Sequence, residues 1–503
     1  MSDVVRKVVA VATVIIGAAL LWVAGRGRND VQDAKNEEET AISSARDHAA
    51  SRDPRLKAAY QLERGGWVYV HLQGDPATVG FQHGYLLARE IEDAFPAVSA
   101  NMMHSTQRKW AFFRDVAREQ LWPKLDPEYQ EELQGIAEGL NTRTGSLLDV
   151  YDIVALNAFE EVPDYYVPWL DKREKRTNAP KLKSPGNCSA FVATGSWTKD
   201  GQIVIAHNNW TNYMNGERWR IIFDIQPAHG YRILMDGFPG VIASDDDFGI
   251  NSDGLMITET TISQFEGWDP SGKPEFMRAR KAMQYAGSID DYVRIMLDGN
   301  NGGYANDWLL GDRKTGEIAQ FELGLKAYKV WRTKDGVYSG SNWARDPKVL
   351  KLDTPQFDPK DLASSPNARR VRWEQLLNEN KGKIDVTLAQ QMLGDHVDSH
   401  EQKTEANERT LCGHVDTVDR GIPIWGWAPF YPGGAVQGKA TDATMAKNMR
   451  LVARTGHPCG QDFRAKPFLD AHPEYGWQAP YLRDMKAGPW SFFQNDEARP
   501  AAK

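Results

Sequence analysis

Pro185-Gly186-Asn187-Cys188-Ser189-Ala190-Phe191 joins two stretches of opposite character. Before Cys188 runs a basic loop, 171–187, with Lys172, Arg173, Lys175, Arg176, Lys181 and Lys183 and two prolines. Such a stretch is exposed and easily cut. From Cys188 onward the pattern turns to short strands. A thiol that opens a strand at the end of an exposed loop can attack the carbonyl of the residue before it. The peptide bond shifts to a thioester, water cleaves the thioester, and the new chain begins at Cys188. Its α-amine, with a reference pKa of roughly 8, then serves as general base for the thiol. A lone cysteine on a strand is more often a small buried hydrophobe, so the sequence on either side has to decide.

Downstream, 189–194, 202–207, 219–226, 231–235 and 254–261 are strand-length runs rich in Val, Ile, Phe and Thr. Turn residues such as Asn251-Ser-Asp-Gly254 separate them. Helical spacing returns over 277–285 and 288–296. A second strand group follows over 308–312, 317–322, 327–332 and 337–341, with the hairpin signals Lys314-Thr-Gly316 and Lys334-Asp-Gly336. Residues 367–380 and 387–392 read as helices, and the remainder as irregular, rich in Gly, Pro and aromatics. Upstream, Trp67–Leu72 has strand composition, and 78–103 is helical, with Gly80 and Gly84 allowing close approach. Pro127 opens another helix, as suits its fixed φ, and a third begins near Leu147. Two antiparallel strand groups with helices before, between and after predict an α+β domain of packed sheets with helices outside.

At the N-terminus, Arg6 and Lys7 precede an apolar run from Val8 to Gly25. It reads as a signal peptide or a membrane anchor over 1–25, short against the ~20 residues of a span. A polar tether follows over 26–64. The chain is therefore expected to be exported (periplasmic or extracellular) or anchored to the cell membrane, with membrane association through the apolar segment. The 503 residues are 41% hydrophobic and 25% charged, which is globular, and the net charge of −8 excludes a basic surface for nucleic acid. With Cys188 set aside, Cys412 and Cys459 remain as a pair, either disulfide-bonded or two buried thiols.

Several motifs in one order resemble the phospholipase B-like proteins. They are Gly186-Asn-Cys-Ser-Ala190, Ile205-Ala-His-Asn-Asn-Trp-Thr-Asn-Tyr213, Phe238-Pro-Gly-Val-Ile-Ala-Ser-Asp-Asp-Asp-Phe248 and Gly254-Leu-Met-Ile-Thr-Glu-Thr-Thr-Ile262. Gly230-Tyr-Arg232, Tyr304-Ala-Asn-Asp-Trp308 and His414-Val-Asp-Thr417 extend the match. Gly74-Asp-Pro76 with Gly80 and Gly84 is similar to the wider group that includes penicillin acyltransferases. The resemblance implies a four-layer αββα N-terminal-nucleophile hydrolase sandwich with a helical N-terminal segment. It implies a small chain over 65–170, the linker 171–187 cut or removed, and a large catalytic chain over 188–503 with an irregular C-terminal extension.

It further implies cleavage between Asn187 and Cys188, with Cys188 as nucleophile of an acyl-ester or amide hydrolase. His207, Trp210, Thr260, Thr261 and Asn306 would sit at the substrate pocket. Thr260 and Thr261 point to opposite faces of one strand, so only one should line it. Asn342 in Gly340-Ser-Asn-Trp343 would donate to the oxyanion, and Arg369 would steady the cysteine and lower its pKa, with Arg370 and Arg372 competing for that part. Asn187 is bulkier than the small residues that favour a strained scissile bond. The substrate would be a lipid or an acylated small molecule, with no metal or organic cofactor required. An acyltransferase, or an inactive tethered lipid- or peptide-binding protein, are the alternatives.

His396, His400 and His414 lie near Asp395, Asp398 and Asp416. His396 and His400 are four apart, a metal-ligand spacing on a helix, but no third ligand is set by spacing and the region reads as a solvated polar loop. There is no Gly-x-Ser-x-Gly elbow and no Gly-rich phosphate loop, which argues against a serine lipase and a nucleotide enzyme.

Overall fold

The computed structural model describes residues 53–176 and 188–496. The apolar segment 1–25, most of the tether, Asn187 and most of the basic loop lie outside the described residues. No described helix is long and apolar enough to cross a membrane.

Seventeen strands are described: β1 (Tyr60–Arg64), β2 (Trp67–Gly74), β3 (Cys188–Thr194), β4 (Val204–Asn212), β5 (Ile221–Pro227), β6 (Ile233–Gly237), β7 (Gly249–Asn251), β8 (Leu255–Thr261), β9 (Asn306–Asp312), β10 (Glu317–Leu323), β11 (Tyr328–Thr333), β12 (Gly336–Gly340), β13 (Val397–Asp398), β14 (Lys403–Thr404), β15 (Gly433–Asp442), β16 (Arg450–Thr455) and β17 (Ser491–Gln494). One sheet has nine strands in the order β1-β2-β5-β6-β7-β8-β9-β10-β11, and a second has six in the order β12-β3-β4-β15-β16-β17. The pairing is antiparallel except for β2 against β5.

Alternation of side chains across each strand sorts the core into layers. Val68, Val70, Phe223, Met235 and Ile257 on one face of the large sheet pack with Val98, Leu133, Ile136 and Phe276 of the outer helices. Tyr69, Ile222 and Met256 on its other face meet Ala190, Val192 and Ile205 of the small sheet. Phe191, Ala193 and Ala206 on the far face of the small sheet pack on Trp373, Leu377 and Met392 of the helices Ser365–Glu379 and Val386–Leu393. The order helix, sheet, sheet, helix is the four-layer αββα sandwich.

Three expectations need correction. The sheets are not the two sequential strand groups. β3, β4 and β12 leave their neighbours and join strands near the C-terminus, including the ten-residue β15, in a region read as irregular. Gly433-Gly-Ala-Val-Gln-Gly-Lys-Ala-Thr-Asp442 carries little β-branched or aromatic character, because β15 lies in a crowded interior. A Cβ on Gly438 would lie 2.8 Å from Trp490. The single helix expected over 78–103 is two, Pro76–Leu86 and Ala88–Thr106. The tether expected over 26–64 also gives way to structure before its end, because β1 is already the edge strand of the large sheet.

Candidate active site

Cys188 opens β3 opposite Asn209 of β4, and Asn209 is opposite Gln437 of β15. Two residues along, Ala190, His207 and Lys439 form the next row on the same face. Residues directly opposite on neighbouring strands share a face, and Ala190 belongs to the layer between the sheets. The thiol therefore points into that layer, beside a polar row where the core is otherwise apolar. The amide nitrogen of Asn209 and both amide atoms of Gln437 are buried and have no hydrogen-bond partner. They leave unused donors in the thiol's own row.

From the large sheet, Glu259 of β8 meets the thiol at 3.5 Å from Cys188 Sγ. Tyr304 donates to Glu259 Oε1 at 3.4 Å. Asn306, with its amide turned to satisfy its neighbours, donates to Oε2 at 2.8 Å. A nitrogen of His207 lies within 4.8 Å of both the thiol and the carboxyl. Burial holds Glu259 well above the usual carboxylate range, and Asp247 and Asp246 add to it. Burial also pushes the Cys188 thiol up, helped by Glu259 and Asp246. The same desolvation, with Lys439 nearby, brings His207 down to about 3. In the continuous chain burial favours the neutral form of thiol, carboxyl and imidazole alike, for the imidazole against the pull of Asp246 at 3.8 Å. Beyond them, Lys439 spans Asp236, at 2.8 Å, and Asp246. Although burial opposes its charge, these two carboxylates hold the ammonium above its ordinary range.

The backbone of Cys188 is gripped separately. Its N–H donates to Asn342 Oδ1 at 3.2 Å. Arg369 donates to the Cys188 carbonyl at 2.6 Å, to Ser189 Oγ at 2.9 Å and to Asn342 Oδ1 at 2.8 Å. Its Nε donates to Ser365 Oγ at 3.1 Å, one helical turn back. The guanidinium stacks 4.4 Å from the Trp210 ring and 5.4 Å from that of Trp425. Burial lowers Arg369 to about 9.

Cys188, Asn342 and Arg369 are thus brought together. Arg369 lies on the helix side of β3 and holds the cysteine's carbonyl, and burial of the thiol outweighs any lowering of its pKa by nearby cations. Arg370 pairs with Glu374 and Arg372 with Asp395, away from the cysteine. Asn342 receives two obligate donors on Oδ1, which fixes its amide orientation. Its nitrogen donates to the Thr261 carbonyl at 2.9 Å. This is the geometry of a holder for the Cys188 nitrogen, and it commits one of the two N–H donors of the Asn342 amide. Asn342 does so at φ 70°, a left-handed conformation that Asn tolerates best among non-glycine residues.

Trp210 is buried and covers the Arg369 guanidinium. Thr260 faces β12, where a Cβ on Gly340 would lie 2.3 Å from its Oγ1. Thr261 contributes its carbonyl. Glu259, Tyr304, Asn209 and Gln437 were not singled out in the sequence. Glu259 sits inside the Gly254–Ile262 motif, and a carboxylate in an otherwise uncharged strand was the available signal. The Cys412–Cys459 disulfide is not formed: all three cysteines are free. His396 and His400 flank the short β13 and are not on a helix, and His414 is buried, so the solvated-loop reading fails there.

Two cavities lie near this end of the sandwich. One, of 350 Å³, is bordered by Thr211 and Asn212 at the end of β4, by Trp425, Trp427 and Trp477, and by Glu160 and Asp164. The other, of 840 Å³, is bordered by Asp164, Trp169, Phe265, Trp268 and Leu325.

The phospholipase B family model matches residues 78–334, about half of the chain and the part that carries Cys188, His207 and Glu259. The chain belongs to the phospholipase B family. Its relatives include an uncharacterised protein of Archaeoglobus fulgidus, 26% identical over 333 residues, 62% of this chain and 51% of that one. A putative phospholipase B-like 2 of Caenorhabditis elegans is 25% identical over 221 residues, 41% of this chain and 37% of that one. Phospholipase B-like protein F of Dictyostelium discoideum is 32% identical over 139 residues, 26% of this chain and 24% of that one. The chain thus spans about half, or less, of the length of these relatives. Among solved structures, a mutant conjugated bile acid hydrolase from Clostridium perfringens aligns with a TM-score of 0.30 and 12% identity over 53% of this chain and 89% of that one.

Proposed function

We propose that this phospholipase B family member is a self-processing hydrolase of acyl esters or amides, with Cys188 as nucleophile. The observation that carries the reading is the separate fixing of the cysteine's two ends. Its nitrogen rests on Asn342 Oδ1, and its thiol enters the layer between the sheets beside Glu259 and His207. In maturation Sγ attacks the Asn187 carbonyl carbon, and the Asn187–Cys188 C–N bond breaks as the nitrogen takes a proton. Water then hydrolyses the thioester, leaving a carboxylate on Asn187 and a free α-amine on Cys188. Asn342 Oδ1 is already placed to hold that amine, and the amine takes the thiol proton in each later turnover. Substrate acylates Sγ, the alcohol or amine leaves, and water resolves the thioester. Asn209 Nδ2 supplies an uncommitted donor for the oxyanion, and one such donor is worth ~3–4 kcal/mol. Glu259, kept protonated by burial, can donate as well.

The larger cavity, walled by Trp169, Phe265, Trp268 and Leu325, suits an acyl chain. The smaller one, with indoles facing Glu160 and Asp164, suits a polar or cationic head group. The family name favours a phospholipid ester.

Intact mass and N-terminal sequencing of the purified protein beside Cys188→Ala test the reading. A wild-type split with the larger fragment beginning at Cys188, absent from the variant, supports it. A single uncut chain after long incubation refutes it and leaves a binding protein on the same scaffold.

A further inference from the structure

The phospholipase chemistry makes no use of a second cluster on the helix side of the small sheet. His396, Cys412, His414 and Cys459 come from three separate segments, yet their ligating atoms all lie within 4.8 Å of one another. We propose that these four side chains form a structural zinc site that ties the outer wall of the active site to the small sheet.

The donor set is the first reason. Two thiols and two imidazoles form the Cys2His2 set of closed tetrahedral zinc sites, and soft sulfur ligands disfavour magnesium, calcium and manganese. The spacing is the second. Zn–S bonds of about 2.3 Å and Zn–N bonds of about 2.05 Å at a tetrahedral angle set sulfur and nitrogen about 3.6 Å apart. His414 Nε2 lies 3.6 Å from Cys412 Sγ and 3.6 Å from Cys459 Sγ.

The third reason is that the surroundings are built for it. His414 is buried, and its ring stacks on His457 with 3.9 Å between centroids. The backbone N–H of Cys412 is tied to the Asp395 carbonyl at 3.1 Å, next to His396. Asp395 is itself held by Arg372. Gly413, between two of the ligands, passes so close to Trp210 that a Cβ would lie 1.9 Å from the ring. A surface cavity of 560 Å³, lined by His396, Cys459 and Gly394 among others, gives a path from solvent to the cluster.

The position of the cluster gives the site its purpose. Cys412 packs with Trp210 and Trp425, the two rings that stack on Arg369. A metal at this point pins the loop that carries those contacts to the turn after β16 and to the end of the helix Val386–Leu393. Binding replaces the two S–H protons with two S–Zn bonds and releases both protons, so affinity rises with pH.

The test uses the full chain purified without a metal-affinity tag. The protein is incubated with zinc sulfate and desalted, and its metal is measured by plasma mass spectrometry. One zinc per chain is expected, together with protection of two of the three cysteines from alkylation that a strong chelator removes. Cobalt(II) in place of zinc should give tetrahedral d–d bands and a thiolate charge-transfer band. The Cys459→Ser and His414→Ala variants should lose more affinity than the roughly 10–100-fold that follows from changing an outer-shell partner. If the wild-type protein retains no zinc, whether its two thiols stay free or a Cys412–Cys459 disulfide appears in the intact mass, the proposal is overturned. The wild-type measurements decide even if a variant does not fold.

Discussion

Arg369 and Glu259 show how single residues divide the labour around Cys188. Arg369 makes four hydrogen bonds in the arc that only a planar fork can cover. Arg369→Lys cannot reproduce them, and Arg369→Met leaves the Cys188 carbonyl and Asn342 Oδ1 short of donors, at ~1–3 kcal/mol each. Both variants should process at least ~100-fold more slowly, measured as the half-time for appearance of the fragment beginning at Cys188. Wild-type rates in the lysine variant would show that the charge alone suffices. Glu259 is neutral by burial, so Glu259→Gln keeps its shape and protonation. It should retain processing within ~10-fold, whereas Glu259→Ala strands Tyr304 and Asn306 and should lose ~1–3 kcal/mol of stability in urea unfolding. If Gln is as damaging as Ala, the carboxyl acts in its ionised form and the neutral assignment fails. Cys188 stands out in the sequence as the proposed nucleophile by its place between a basic loop and a strand run. The jobs of Asn342 and Arg369 do not, because they depend on which atom of each side chain faces the cysteine's nitrogen, carbonyl or sulfur.

At the scale of elements, the contact between the helices Pro76–Leu86 and Pro127–Thr144 is set by four glycines. Gly80 and Gly84 press on the backbone of the second helix, and Gly135 and Gly139 on that of the first. A Cβ on Gly80 would lie 1.9 Å from the Glu132 carbonyl oxygen, which is backbone and cannot yield. Gly80→Ala gains ~0.5–1 kcal/mol of helix propensity but should cost ~2–3 kcal/mol net through overpacking. Gly476→Ala, with open space around it, should stay within ~0.5 kcal/mol. Equal midpoints for the two in urea would refute this packing. The glycine spacing was legible in the sequence; the partner glycines on the second helix were not singled out. β15 escaped detection for a related reason: a crowded central strand demands small residues, and small residues carry little strand signature.

Over the whole molecule, the segment before the proposed cleavage site and the segment after it share one sheet. β2 pairs with β5 along seven residues, from Val68↔Ile221 to Gly74↔Pro227, and the N-terminal helices cover that sheet. The two fragments should therefore remain together after cleavage, co-eluting in size exclusion and separating only in denaturant; separate elution in native buffer would contradict the shared sheet. Stability should peak on the acid side of neutrality. Asp224 is held down to about 2 by His71, Arg232 and Tyr69 despite its burial, so its contribution is present above the unfolded value of about 3.9 and is lost on going lower. Burial raises Asp247 and Glu322 to about 7. The folded chain keeps those protons where the unfolded chain has released them, so this contribution is full below about 4 and falls as pH rises through 7. Tm should be highest near pH ~5 and several degrees lower at pH 8, and a Tm still rising from pH 6 to 8 would refute the assignment. The sequence by itself determined most of the helices and strands up to the helix Val386–Leu393, the α+β class and the family, because periodicity, turn residues and linear motifs are properties of neighbours along the chain. Only the tertiary structure decided which strands share a sheet, which atoms of Asn342 and Arg369 face Cys188, and that His396, Cys412, His414 and Cys459 converge. Those facts depend on residues far apart in the chain, as where β4 lies beside β15 and Val204 pairs with Asp442, and no local pattern records such distances.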